Sequence, residues 1–262
     1  MHSADFLLLA LKMGLSAVVV VTASLAIERV GPMVGAMIAS LPISAGPAYV
    51  FLAMEHGPAF IKLSTVASFP AMIATAVFQL AYVKLAQRFR TAFSLAGTFA
   101  AWAAAIWASA APGWGFGVLA PLSFGCFGVA YLLVRPHLGW REGAVARRRW
   151  WDIPLRAVAV MIVTGTAVLA GRIAGPGAAG LAAFAPVVFT SLVLVMQPRI
   201  GGPNTAAVLA NAVPGMVGVN LSLCFLHLAI LPFGSIVALS LALLISMLWN
   251  LALLLWRRRV PV

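Results

Sequence analysis

Residues 60–84 read FIKLSTVASFPAMIATAVFQLAYVK. Lys62 and Lys84 stand near the two ends, and no charge lies between them. A helix rises about 1.5 Å per residue and the hydrocarbon core of a bilayer is about 30 Å thick, so about 20 such residues make one crossing. Runs of the same kind recur at 6–28, 33–55, 92–111, 115–134, 153–172, 177–197, 204–229 and 233–256. The breaks between runs carry turn or charge signals. They include Gly31-Pro32, His56-Gly57-Pro58, Pro112-Gly113, Gly175-Pro176, the stretch from Gln197 to Asn204, and Pro232.

Composition excludes a soluble domain. Hydrophobic residues make up 63% of the chain, charged residues 8%, and mean hydropathy is +1.07. A water-facing surface needs several times more charge. A closed β-barrel reads as short alternating segments, whereas these runs are continuous and rich in Ala, Leu and Val. The fold class is therefore all-α: a polytopic transmembrane helical bundle of about nine spans. The run Phe6 to Ile27 is too long for a signal h-region, and Lys12 interrupts it. It is preceded by His2 and Asp5 rather than by positive charge, so it reads as a retained first span.

The net charge of +12 does not point to nucleic acid, because Lys and Arg gather in cytoplasmic loops for topological reasons. In a nine-span arrangement one side collects 14 Lys and Arg residues and the other only Lys12, Lys62 and Arg172. The rich side is expected to be cytoplasmic, with the N-terminus outside and the C-terminus inside. The basic loop from Arg135 to Asp152 and the tail Arg257-Arg258-Arg259 fall on that side. The bilayer is the one partner this pattern demands.

The chain also resembles itself at an offset of 144 residues, without gaps. Gly31-Pro32 falls on Gly175-Pro176, Pro42 on Pro186, Gly57 on Gly201, Pro70 on Pro214 and Met72 on Met216. Over residues 11–78 there are 13 identities in 68 positions, where squared residue frequencies give roughly 5 or 6. The prolines carry the argument, since their backbone consequences make them positional. The organisation expected is a first four-helix repeat (1–112), a connector span with a basic loop (113–150) and a second four-helix repeat (151–262). One odd connector turns the second repeat upside down, an arrangement recurrent in secondary transporters.

Paired broken helices in two such halves point to a midplane binding site. Span 2 holds Ser40, Pro42, Ser44, Gly46 and Pro47 within eight residues. Its mate holds Pro186, Thr190 and Ser191. A mid-helix proline frees a carbonyl that needs a partner in lipid. The candidate substrate-binding set is Ser40, Pro42, Ser44, Gly46, Pro186, Thr190, Ser191 and Asn211. Ser68 is expected to back it, while Ser and Thr also bond their own helix carbonyls. Lys12 and Arg156 sit a turn or two inside opposite faces, placed either to draw in an anion or to snorkel to headgroups. His227 reads as interfacial.

No metal site, cofactor or enzyme chemistry is expected. Cys126 and Cys224 lack Cys or His neighbours at metal spacing, and the four histidines are scattered. No G-x-S-x-G, H-E-x-x-H or P-loop pattern occurs. All five acidic residues fall at span ends or in loops.

The stretch from Gly35 through Pro42 to Glu55-His56-Gly57 and on to Pro70 resembles the small GlpM-type bacterial inner-membrane proteins. The second half departs from that pattern with Arg199-Ile200 in place of Glu55-His56. The resemblance implies a bacterial inner-membrane location and no residue role. The functional expectation is a secondary transporter or permease for a small neutral or anionic solute. The alternative is a non-transporting membrane scaffold or envelope-assembly factor.

Overall fold

The computed structural model describes residues 11, 13–18, 42, 45–139 and 151–259. The described chain is helical, with no strand among the described residues. Its elements are α1 (Ala45–Glu55), α2 (Pro58–Leu85), α3 (Thr91–Ala110), α4 (Phe116–Val134), a 3₁₀ turn (Arg135–His137), α5 (Asp152–Ala183) and α6 (Val187–Arg259). Pro58 opens α2 behind Gly57, where a missing N–H costs nothing because first-turn donors have no helical acceptor.

The two longest elements are not continuous. α5 breaks at Gly175, with φ 78° and ψ −169°. α6 breaks at Gly201 (φ 80°, ψ 165°) and at Gly234 (φ 73°, ψ 172°). Positive φ with an extended ψ is open to glycine alone, so these three residues turn the chain where a side chain could not. The breaks divide α5 into α5a (152–174) and α5b (176–183), and α6 into α6a (187–200), α6b (202–233) and α6c (235–259). They fall on, or within two residues of, the boundaries marked by Gly175-Pro176, Gln197 to Asn204, and Pro232. α2 and α3 start at residues 58 and 91, and α6b and α6c at 202 and 235, each 144 later.

Among the described residues, four stretches are long and apolar enough to cross a membrane: Pro58–Leu85, Thr91–Ala110, Phe116–His137 and Val160–Trp256. The last of these contains all three glycine breaks. The expected first span and the basic loop at 140–150 lie outside the described residues.

α2 is the centre of the packing and touches α3, α4, α5 and α6. Phe69, Met72, Phe78 and Tyr82 on α2 form one buried cluster with Phe127 of α4 and Leu209 and Val213 of α6b. α2 and α6b run antiparallel. Thr65 Oγ1 lies 2.9 Å from His227 Nδ1 near one end, and the Ala86 carbonyl abuts Gly202 at the other. In lipid the helices gain little from hiding apolar surface from one another, so close backbone approach and interhelical hydrogen bonds hold them. Gly180 against Ser64, Gly202 against Ala86 and Gly218 against Trp249 are such approaches, and a β-carbon at any of them would collide. His227, read from the sequence as interfacial, is buried among its neighbours near the start of α2, bonded to Thr65 and stacked on Phe116 with ring centroids 4.1 Å apart.

Candidate functional site

Two prolines, 144 residues apart, set the site. Pro42 precedes α1, and the Gly46 N–H donates to the Pro42 carbonyl at 2.7 Å. Pro186 precedes α6a, and the Thr190 N–H donates to the Pro186 carbonyl at 2.9 Å. The same first-turn bond thus appears twice, 144 residues apart. α1 begins at Ala45 and α6a at Val187, each just downstream of its proline.

The broken end upstream of Pro186 must also satisfy its orphan carbonyls. The Ala182 carbonyl accepts the Ala185 N–H at 3.2 Å. The Gly180 carbonyl accepts from Ser68 Oγ of α2 at 3.0 Å, and Tyr49 Oη of α1 lies 2.7 Å from that same hydroxyl. Ser68 therefore ties α1, α2 and α5b together at the break.

Between the two breaks lies a cavity of about 40 Å³. Its wall carries Pro42 and Pro186, Ala45 and Phe189, Thr75 and Val219. Each of these pairs is separated by 144 residues. Phe184, Val188 and Met216 complete most of the rest. No charged side chain lines it. The Thr75 hydroxyl donates to its own helix at the Ala71 carbonyl, 2.8 Å away. The N-terminal turns of α1 and α6a reach the cavity wall through Ala45 and through Val188 and Phe189, at the positive ends of their helix dipoles. The volume suits a few waters at most. Small-molecule sites run to several hundred Å³.

The predicted residues divide. Pro42 and Pro186 line the cavity. Gly46 is the second residue of α1, with open space where a β-carbon would be. Thr190 and Ser191 do not line the cavity: their hydroxyls donate to the Pro186 carbonyl at 2.7 Å and the Val188 carbonyl at 2.8 Å. Asn211 is placed elsewhere, donating to the carbonyls of Leu138 at 3.1 Å and Ala207 at 2.8 Å, where it anchors the turn after α4. Ser40 and Ser44, and the side chains of Lys12 and Arg156, lie outside the described residues. Sequence reasoning missed Ala45, Thr75, Phe184, Val188, Phe189 and Val219. The offset was the signal that could have found four of them, by pairing Ala45 with Phe189 and Thr75 with Val219.

No family model, curated protein or solved structure matches the chain.

Proposed function

We propose that the chain is a secondary transporter or permease for a small neutral or anionic solute. Two inverted four-helix repeats and a connector make nine spans, with the N-terminus outside and the C-terminus in the cytoplasm of a bacterial inner membrane. One observation carries the reading: a cavity at two helix breaks is walled by three residue pairs that the 144-residue offset relates. A residue lies opposite its own repeat mate only near a two-fold axis. The antiparallel course of α2 and α6b, whose starts are 144 apart, favours an axis in the membrane plane over a parallel relation. The uncharged wall and the two positive helix ends suit a neutral or anionic solute better than a cation.

The size of the cavity favours a second reading. A centre of about 40 Å³ in a packed bundle also fits a scaffold that moves nothing. A thermal-shift screen of the purified protein against small neutral and monoanionic metabolites separates the two. A solute at 100 times its Kd raises stability by about 2.7 kcal/mol. We expect such a solute for the native protein and none for Val219→Trp, which fills the cavity. Stabilisation that survives Val219→Trp would remove the site from this cavity, and no stabilising solute at all would favour the scaffold.

A further inference from the structure

Two ion pairs stand at the far ends of the helices that meet at the cavity. Arg172 Nε and Nη2 donate to Glu55 Oε2 and Oε1 at 2.7 and 2.6 Å. Arg199 Nη1 and Nη2 donate to Asp152 Oδ2 and Oδ1, both at 2.7 Å. Both contacts are bidentate, which fixes orientation as well as distance. Asp152 and Arg172 mark the two ends of α5a, and the 20 residues between them (172 − 152) span about 30 Å of helix. Glu55 is the last residue of α1, and Arg199 stands one residue short of the end of α6a. So α1 and α6a both start at the cavity, and each is fastened at its far end to α5a, at opposite ends of that helix.

The charges follow the repeat with one reversal. Glu55 and Arg199 are 144 residues apart and carry opposite signs. α5a meets each with the matching partner, Arg172 at one end and Asp152 at the other. The side chains are largely sheltered, at 26% and 13% exposure for Arg172 and Glu55 and 16% and 10% for Arg199 and Asp152. Removing one member of a sheltered pair leaves the other charge poorly solvated, so such contacts switch between made and broken rather than drift.

We infer, resting on the transporter reading, that Glu55–Arg172 and Asp152–Arg199 are the two latches of an alternating-access cycle. Each holds the far end of one half-helix against α5a and shuts the cavity from one face of the membrane. Both latches are closed here, which accounts for a centre too small for a solute. Release of the first lets α1 swing outward about Pro42 and Gly57. Release of the second lets α6a swing about the 184–186 break and Gly201. In the proposed orientation the first latch faces outward and the second faces the cytoplasm. The four residues are positioning residues: none of them lines the cavity.

The test uses Val188→Cys as a probe in the cavity wall, in a Cys126→Ala/Cys224→Ala background. A small, charged, membrane-impermeant methanethiosulfonate is applied to membrane vesicles of each orientation. Arg172→Gln should speed modification from the outer face by about tenfold and leave the inner-face rate unchanged, as expected for a shifted two-state population. Arg199→Gln should do the reverse. The exchanged pairs Glu55→Arg/Arg172→Glu and Asp152→Arg/Arg199→Asp should restore the native rates, which a merely structural role would not require. Where a single variant fails to insert, Glu55→Gln/Arg172→Gln or Asp152→Asn/Arg199→Gln removes both charges together. A probe that reacts in the native protein at rates these variants do not change, or change equally from both faces, overturns the latches and leaves the transporter reading standing. A probe unreachable from either face in every variant overturns both.

Discussion

The chain at Pro42 and the chain at Pro186 share a first-turn bond but not a surface. Each opens a half-helix through the same bond, from Gly46 to Pro42 at 2.7 Å and from Thr190 to Pro186 at 2.9 Å. Their side chains differ in bulk. The first half gives the cavity Pro42, Ala45 and Thr75, while the second gives Phe184, Pro186, Val188, Phe189, Met216 and Val219. Gly46 has open space beside it where its mate Thr190 adds a second, hydroxyl bond to the Pro186 carbonyl. The lesson is that the two sites share a first-turn backbone bond and differ in the side-chain volume around it. The cavity is symmetric in backbone and lopsided in filling, with the bulk on one side.

That contrast can be broken at Phe189, which is 5% exposed. Phe189→Ala should cost about 3 kcal/mol of stability through the void it leaves. Ala45→Phe should cost about 2 kcal/mol by overpacking the opposite wall. Their double mutant moves the bulk across and should recover much of both losses, so the coupling between them should be far from zero. Additive losses, read as midpoints of thermal unfolding in micelles, would show that the two walls do not share one cavity.

Ser68→Ala tests the tie between α1, α2 and the second break. It strips the hydroxyl from the Gly180 carbonyl and from Tyr49, and should cost about 1–3 kcal/mol, because those groups then stay buried without that partner. An unchanged unfolding midpoint would mean that the Gly180 carbonyl finds another donor at once.

Pro42→Ala and Pro186→Ala sharpen the comparison from the functional side. Each should weaken solute binding or uptake by about tenfold, or 1.4 kcal/mol, while membrane insertion stays intact. Loss in only one of the two would show that the halves no longer share the task. The smallest effect belongs to Thr190→Val. It keeps the β-branched shape and removes one of two bonds to the Pro186 carbonyl, so about 1 kcal/mol is expected in thermal unfolding. A loss as large as that of Ser68→Ala would mean that the hydroxyl, rather than the backbone bond, holds the first turn of α6a.

The sequence by itself determined that the chain is helical and apolar enough for a bilayer. Long uncharged runs admit no other backbone that satisfies its own hydrogen bonds in lipid. It also determined where the chain turns, because Gly175, Gly201 and Pro232 act locally on φ and on donor count. For the same reason Pro42 and Pro186 were readable as residues that shape the backbone beside the cavity. What they do to the backbone does not depend on which helix lies next to them. Only the tertiary structure decided which side chains wall the cavity. In a chain that is 63% hydrophobic, nothing in Phe184, Val188 or Phe189 distinguishes a wall from a lipid-facing surface. Polar residues were no better guides: Asn211 bonds the turn after α4, Ser68 bonds the break, and both are simply amides or hydroxyls in apolar runs until a neighbour is known. The pairing of Glu55 with Arg172 and of Asp152 with Arg199 joins residues 117 and 47 positions apart. Such contacts depend on how helices pack in three dimensions, which no local pattern encodes.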